Sequence, residues 1–363
     1  MADQPALSRY RDPRLLRNLA DHLARLDPGR ELAFMHVCGT HENAIARHGL
    51  RGLLPPWLRI IAGPGCPVCV CPPADIDLAA RLALDHGAIV ATYGDMMHVP
   101  SRVSLAEARA RGGDIRVVYG ADDAVKLAAQ NPGRPTVLLA VGFETTACTT
   151  AAALLDQPPP NFSLLVSHRL IPPALVALLE IEGLGIAGFL LPGHVLTVTG
   201  TVDYEPVAAS AVIPMVVAGF EPLDVMHGLA RLCELAMQGG SGVDNAYRRA
   251  VRRQGNPRAR EAIDRAFAVV DARWRGLGTI AASGLRLREA LRRHDALERF
   301  GVEPDPGLPE TLPGCDCGQV MVGKKQPEEC RLFGVACTPD APRGPCMVSF
   351  EGTCRNRYLY QEA

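Results

Sequence analysis

Between residue 31 and about residue 220, short uninterrupted apolar runs alternate with segments of helical spacing. This pattern limits the fold more than any other feature of the chain. The expected strands are Ala33–Val37, Leu58–Ala62, Ala88–Thr92 and Ile115–Tyr119, then Thr136–Val141, Ser163–Ser167, Ala187–Leu191 and Ile213–Ala218. Helical spacing falls between them, as in Ala74–His86, Asp122–Gln130, Pro173–Glu182 and Leu223–Met237. Continuous apolar strands interleaved with helices imply parallel sheets covered on both faces. The fold class expected is therefore α/β. Four strands on either side of Asn131–Pro135 suggest two doubly wound parallel-sheet units, residues 1–131 and 132–242, although no strict sequence repeat accompanies them.

Residues 243–363 form the third expected domain. Its first part, 243–299, carries 14 basic and 7 acidic residues on patterns that look helical, and reads as a solvated surface more readily than as a docking face for an acidic partner. From Gly301 onward, proline, glycine and cysteine dominate. A segment so poor in core-forming pattern needs a staple, either metal or disulfide. The whole chain of 363 residues is 48% hydrophobic and 21% charged, enough for a sizeable core. Its net charge of −1 argues against nucleic-acid binding driven by phosphate neutralisation. No membrane span is expected either, because the charge-free stretch Gly183–Val202 carries five glycines and Pro192. The opening residues lack an apolar leader pattern, so a cytoplasmic location is expected.

Ten of the 12 cysteines fall in two groups, within residues 38–71 and 315–354. In a large chain with no sign of secretion, such grouping points to metal binding or redox chemistry. The second group is Cys315, Cys317, Cys330, Cys337, Cys346 and Cys354. It lacks the paired knuckles of zinc ribbons and the compact runs of bacterial ferredoxins, and its six thiols fit four iron–sulfur ligands plus a redox pair. Zinc and plain disulfides remain open, and spacing alone does not choose the four ligands.

Cys38 ends an expected strand in FMHVCGTHE (Phe34–Glu42), facing the start of a helix. Helix N–H groups and dipole there favour the thiolate. A drop in pKa from about 8.5 to about 6.5 raises the ionised fraction at pH 7 from about 3% to about 75%. A buried apolar cysteine is the plainer alternative. In GPGCPVCVCP (Gly63–Pro72), Cys66 and Cys69 form a C-x-x-C after a strand, suited to a reversible disulfide or a two-thiolate grip on a metal. Cys71 is accessory. Both thiol motifs lie at the carboxyl ends of strands, where α/β sheets place their sites, so one crevice is expected to gather them. GFETTA (Gly142–Ala147) also follows a strand. There Thr145 and Thr146 are candidate helix caps, and Glu144 a candidate acid or base. Asp95, His98 and His194, in YGDMMHVP and LPGHV, are further candidates for lining the crevice.

CGTHE at Cys38–Glu42, GPGCPVCV at Gly63–Val70, GFETTA and the cysteine-rich tail, in this order and nearly end to end, resemble the HypD family of hydrogenase-maturation proteins. Two positions depart from the family pattern, Cys148 after GFETTA and His98 after GDMM, and neither is a proposed ligand. The resemblance implies a redox-active scaffold, rather than a turnover enzyme, that helps build the Fe(CN)2CO group of nickel–iron hydrogenases. The implied partners are a HypC-type small chaperone, a HypE-type cyanide donor and, indirectly, the hydrogenase large subunit.

Iron carrying CN and CO ligands would sit between a cysteine of the chaperone and Cys38, with Cys66 and Cys69 at the same site and His41, Glu42 and Glu144 as catalytic candidates. The family's C-x14-C-x6-C-x16-C pattern places a 4Fe-4S cluster on Cys315, Cys330, Cys337 and Cys354. Cys317 and Cys346 remain as a dithiol beside it. The fold implied is two α/β units plus a C-terminal Cys-rich iron–sulfur domain. Two alternatives stand beside this one, a free-standing thiol–disulfide reductase fed by the cluster and a zinc-stabilised interaction protein.

Overall fold

The computed structural model describes residues 9–360, so residues 1–8 of the first expected domain, including most of the stretch without a leader pattern, lie outside the described residues. Eleven strands are present among the described residues: β1 (Leu32–His36), β2 (Leu58–Ala62), β3 (Ile89–Thr92), β4 (Ile115–Val117), β5 (Thr136–Gly142), β6 (Phe162–His168), β7 (Ile186–Pro192), β8 (Pro214–Ala218), β9 (Gly242–Asn245), β10 (Phe267–Trp274) and β11 (Gly278–Leu287). The first eight coincide with the apolar runs of the sequence. Strands such as β3, β5 and β8 are buried at every position, and burial on both faces makes a parallel strand uniformly apolar.

Two parallel sheets form, but their division differs from the one expected. One sheet has the order β2-β1-β7-β8-β9 and the other β4-β3-β5-β6. The seam expected near Asn131–Pro135 thus falls inside the second sheet, between β4 and β5. The chain leaves the first sheet after β2, builds all of the second, and returns at β7. Local apolar pattern marks a strand, while its partner is decided by the crossover that follows, which no local window contains. One consequence matters for function. The segment Gly63–Pro72, with its C-x-x-C, is the crossing from the first sheet to the second.

Residues 243–299 are a second correction. They hold the helix Pro257–Ala266, capped by the Asn256 side chain, then the antiparallel hairpin β10–β11 where helix was expected, and only after it the short helical turns Glu289–His294 and Ala296–Phe300. Basic residues expected on a helical face, such as Arg273 and Arg286, lie on these two strands. The hairpin joins β6 through Leu170 N–H, which donates to the Ser283 carbonyl at 2.9 Å. Trp274 is fully buried, and its indole N–H donates to Ser283 Oγ at 2.8 Å.

From Gly301 onward the described residues form only short helical turns, Cys317–Met321, Pro345–Val348 and Thr353–Leu359 among them. The last packs on helix Gly39–Arg47, so the tail returns to cover the first sheet. A single hydrophobic cluster joins Met35 and Ile61 of that sheet, Cys66 and Cys69 of the crossing, Trp274 of the hairpin, and Cys317, Cys337, Cys346 and Cys354 of the tail. Among the described residues, no helix is long and apolar enough to cross a membrane.

Candidate thiol site

Cys38 is the N-cap of helix Gly39–Arg47, directly after β1, as the sequence suggests. The crossing loop runs alongside it. Gly63 N–H donates to the His36 carbonyl at 2.8 Å, and Gly39 N–H donates to the Gly65 carbonyl at 2.9 Å. A Cβ on Gly65 would overlap the Val37–Cys38 backbone, so only glycine permits this approach. The next residue, Cys66, caps the short turn Pro67–Val70 by accepting the Cys69 N–H on its Sγ at 3.2 Å, and Cys66 and Cys69 are joined as a disulfide. Cys38, Cys66 and Cys69 then line one closed cavity of about 10 Å3, together with Glu42, Cys346 and Glu351. The two thiol motifs therefore do converge, and a tail cysteine meets them there.

The electrostatics of Cys38 run against the expectation from its helix. Burial, and secondarily the Glu351 carboxyl, push its thiol up to about 12, and hydrogen bonding to the His41 and Thr40 N–H groups offsets only part of that. Desolvation of a fully buried sulfur outweighs the helix terminus. Glu42 behaves in the opposite way. Burial would raise its carboxyl, but Arg51 Nη2 at 2.6 Å and His36 Nε2 at 2.9 Å hold it down at about 2. Burial lowers His41 to about 3 and keeps it neutral. Its Nε2–H donates to the Gly219 carbonyl at 2.9 Å, and its ring stacks on Phe220. His41 thus ties the Cys38 helix to the end of β8, while Glu42 faces the cavity.

Glu351 is the residue the sequence reading passed over. Thr40 Oγ1 donates to its Oε1 at 2.8 Å, and burial raises its carboxyl. Asp95 fixes the same loop by accepting from Ser349 Oγ at 3.0 Å and from Phe350 N–H at 3.3 Å. Its signal was a lone carboxylate midway between Cys346 and Cys354, in SFEGTC. Other candidates lie elsewhere. Glu144 is buried, pushed up to about 7 by burial, and accepts the Ile171 N–H at 2.9 Å away from the thiol cavity. Phe143, not Thr145 or Thr146, is the N-cap of the helix that begins at Glu144, and no side chain caps it. His98 and His194 are exposed, the latter stacked on Phe220 at 3.7 Å. Cys71 is buried with Ser167 Oγ at 3.5 Å.

All six tail cysteines line a second cavity of about 10 Å3, with Met347, Phe333 and Leu332 on its walls. Four of them associate in two pairs. Cys317 hydrogen-bonds to Cys315, which holds the Cys315 thiol down at about 7, and Cys354 hydrogen-bonds to Cys346 and lowers that thiol. A Cβ on Gly344 would lie 2.7 Å from Cys315 Sγ. Among the described residues, no three His, Cys, Asp or Glu side chains converge at single-ion distance. A 4Fe-4S cube asks for something else, since each thiolate takes a separate corner iron. Six sulfurs around one apolar cavity fit that donor set. Cys346 belongs to both cavities and so links them.

Fold and site together define an α/β protein in which a strand-end cysteine, a C-x-x-C disulfide and a six-cysteine tail are packed into one sulfur-lined core. Residues 14–361 match the HypD family model, described as the hydrogenase formation hypA family. Hydrogenase maturation factor HypD2 of Bradyrhizobium diazoefficiens is 43% identical over 364 residues, covering 97% of this chain and 95% of the relative. Hydrogenase maturation factor HypD of Cupriavidus necator is 43% identical over 367 residues, covering 98% and 96%. The hydrogenase expression/formation protein HupD of Azotobacter chroococcum is 42% identical over 363 residues, covering 97% and 95%. The chain belongs to the HypD family.

Proposed function

We propose that this protein is a hydrogenase maturation factor. It serves as a thiol scaffold on which the Fe(CN)2CO group of nickel–iron hydrogenase is assembled with a HypC-type chaperone and a HypE-type cyanide donor, before transfer toward the hydrogenase large subunit. The observation that carries the reading is the single cavity shared by Cys38, Cys66, Cys69 and Cys346. The iron, as cargo, would be gripped by Cys38 and a chaperone cysteine, since soft thiolates suit iron with strong-field diatomic ligands.

A thiol held near 12 gives up its proton only in exchange for a metal, which keeps Cys38 unreactive until iron arrives. A cavity of about 10 Å3 has room for about one water-sized group. Loading therefore requires the Ser349–Gly352 loop, held by Asp95, Thr40 and Asn356, to lift from Cys38.

The tail thiolates Cys315, Cys330, Cys337 and Cys354 would hold a 4Fe-4S cluster, a one-electron donor and acceptor when bound. Cys346, placed between the cavities, and Cys317 would serve as thiols beside it, and the Cys66–Cys69 disulfide as the reversible pair at the iron site. Burial raises the Glu351 carboxyl, which the Thr40 hydroxyl holds beside Cys38.

The test is hydrogenase maturation in cells that carry Cys38→Ala. Maturation should be lost while the brown absorbance of the purified variant is retained. Undiminished maturation overturns the role of Cys38. Loss only in Cys66→Ala and Cys69→Ala would point instead to a free-standing disulfide reductase.

A further inference from the structure

The hairpin loop between β10 and β11 carries a charge that the reading above leaves unused. Arg275 is 1% exposed. Its backbone N–H donates to the Val70 carbonyl at 2.9 Å, its Nε to the Cys71 carbonyl at 2.8 Å, and its Nη2 to the Pro100 carbonyl at 3.2 Å. These acceptors are neutral, and the first two close the crossing loop directly after the C-x-x-C. The groups that face its charge are, in order, Cys71, Cys317, Glu310 and Cys315. The neighbouring glycine completes the placement. Gly276, at φ +81°, lies so close to the residue after Cys317 that a Cβ would sit 2.7 Å from Gly318 Cα. Arg275 is therefore wedged between the loop that carries Cys66 and Cys69 and the turn that begins at Cys317.

A permanent cation buried with carbonyl acceptors alone is costly, and proteins keep such charges where a counter-charge compensates them. Tail thiolates supply that counter-charge, and they carry more of it when the centre they hold is reduced. We propose that Arg275 is a positioning and charge-compensating residue for the redox centre of the tail. It locks the C-x-x-C crossing to the Cys315–Cys317 turn and favours the reduced state of that centre. The proposal rests on the reading of the tail as an iron–sulfur site. The couple concerned is uptake of one electron by that centre with no bond made or broken.

The test uses the full-length protein purified and reconstituted anaerobically. Dithionite is the electron source in a mediator-equilibrated titration followed by visible absorbance. Arg275→Gln should shift the oxidised-to-reduced ratio at fixed potential at least tenfold toward oxidised, a midpoint about 59 mV lower for a one-electron couple. Arg275→Lys, which keeps the charge, should restore most of that shift. An unchanged midpoint in Arg275→Gln, or equal lowering in both variants, overturns the proposal while the iron–sulfur reading stands. Absence of iron and sulfide from the unsubstituted protein would sink that reading itself, and the proposal with it. Should Arg275→Gln not fold, Arg275→Met, which also removes the charge, decides by the same titration, since that loss must lower the midpoint. No lowering overturns the charge role.

Discussion

Cys38 and the Cys66–Cys69 pair are mounted on the carboxyl ends of two adjacent parallel strands, whereas of the six tail cysteines three sit on helical turns of four to seven residues and three on irregular chain. The first site is fixed by backbone. β1 and β2 pair in register from Leu32–Leu58 to His36–Ala62, and glycine contacts then carry the crossing loop past Cys38. The second is fixed by side-chain packing around its own sulfurs. A sheet can hold thiols in place with nothing bound, while a tail without regular structure depends on what its thiols hold. The same core cluster contains both, so the difference lies in what orders each half.

The largest expected effect concerns the tail. Stripping the iron of the proposed cluster with a chelator, or replacing Cys330 and Cys337 together by serine, should remove several kcal/mol of local stability, on the order of a structural metal site. Limited proteolysis should then cut within residues 301–360 while far-UV circular dichroism of the sheets persists. Equal resistance with and without metal breaks the contrast. Next in size is Gly65→Ala, which forces a methyl group into the Val37–Cys38 backbone and should cost about 3–5 kcal/mol in denaturant unfolding. Gly344→Ala meets a movable sulfur instead and should cost about 1–3 kcal/mol. A reversed order would mean that the strand-end site is the softer of the two.

Acidity separates the two regions further. His41 is buried neutral at about 3, so the unfolded chain binds its proton first as pH falls below about 6.5. The stability it lends is complete above that value and drains away toward pH 3, a loss of about 2 kcal/mol between pH 7 and pH 5. The described tail from Gly301 onward holds no histidine. Comparing His41→Gln with the unsubstituted protein by urea unfolding at both pH values should show a flatter dependence in the variant. Thr40→Val is the mildest change. It removes the hydrogen bond to Glu351 and should cost about 1 kcal/mol in urea unfolding.

Legibility in the sequence followed the range of the interaction. Strands such as β3, β5 and β8 were readable because a strand buried on both faces is apolar throughout, whereas β9, with the sequence Gly-Val-Asp-Asn at a half-buried edge, carried no such mark. The hairpin escaped notice because the arginines along it alternate too sparsely to announce a period of two. Sheet membership escaped because β2 and β3 are consecutive in the chain yet belong to different sheets.

At the site, the meeting of Cys38 with Cys66 and Cys69 followed from both motifs lying at strand ends. The state of Cys38 did not follow. The helix terminus is local and visible, while burial and Glu351 arrive from 313 residues downstream. Glu144 stood in an equally suggestive place, and the fold gave it the N–H of Ile171 instead.

The most direct measurement is the infrared spectrum of the protein purified anaerobically with the proposed HypC-type chaperone. Cyanide and carbonyl stretching bands are predicted for the unsubstituted complex. In Cys38→Ala they should vanish while iron–sulfur absorbance stays. Bands of equal strength in the variant would contradict the assignment of Cys38 as the thiol that holds the iron.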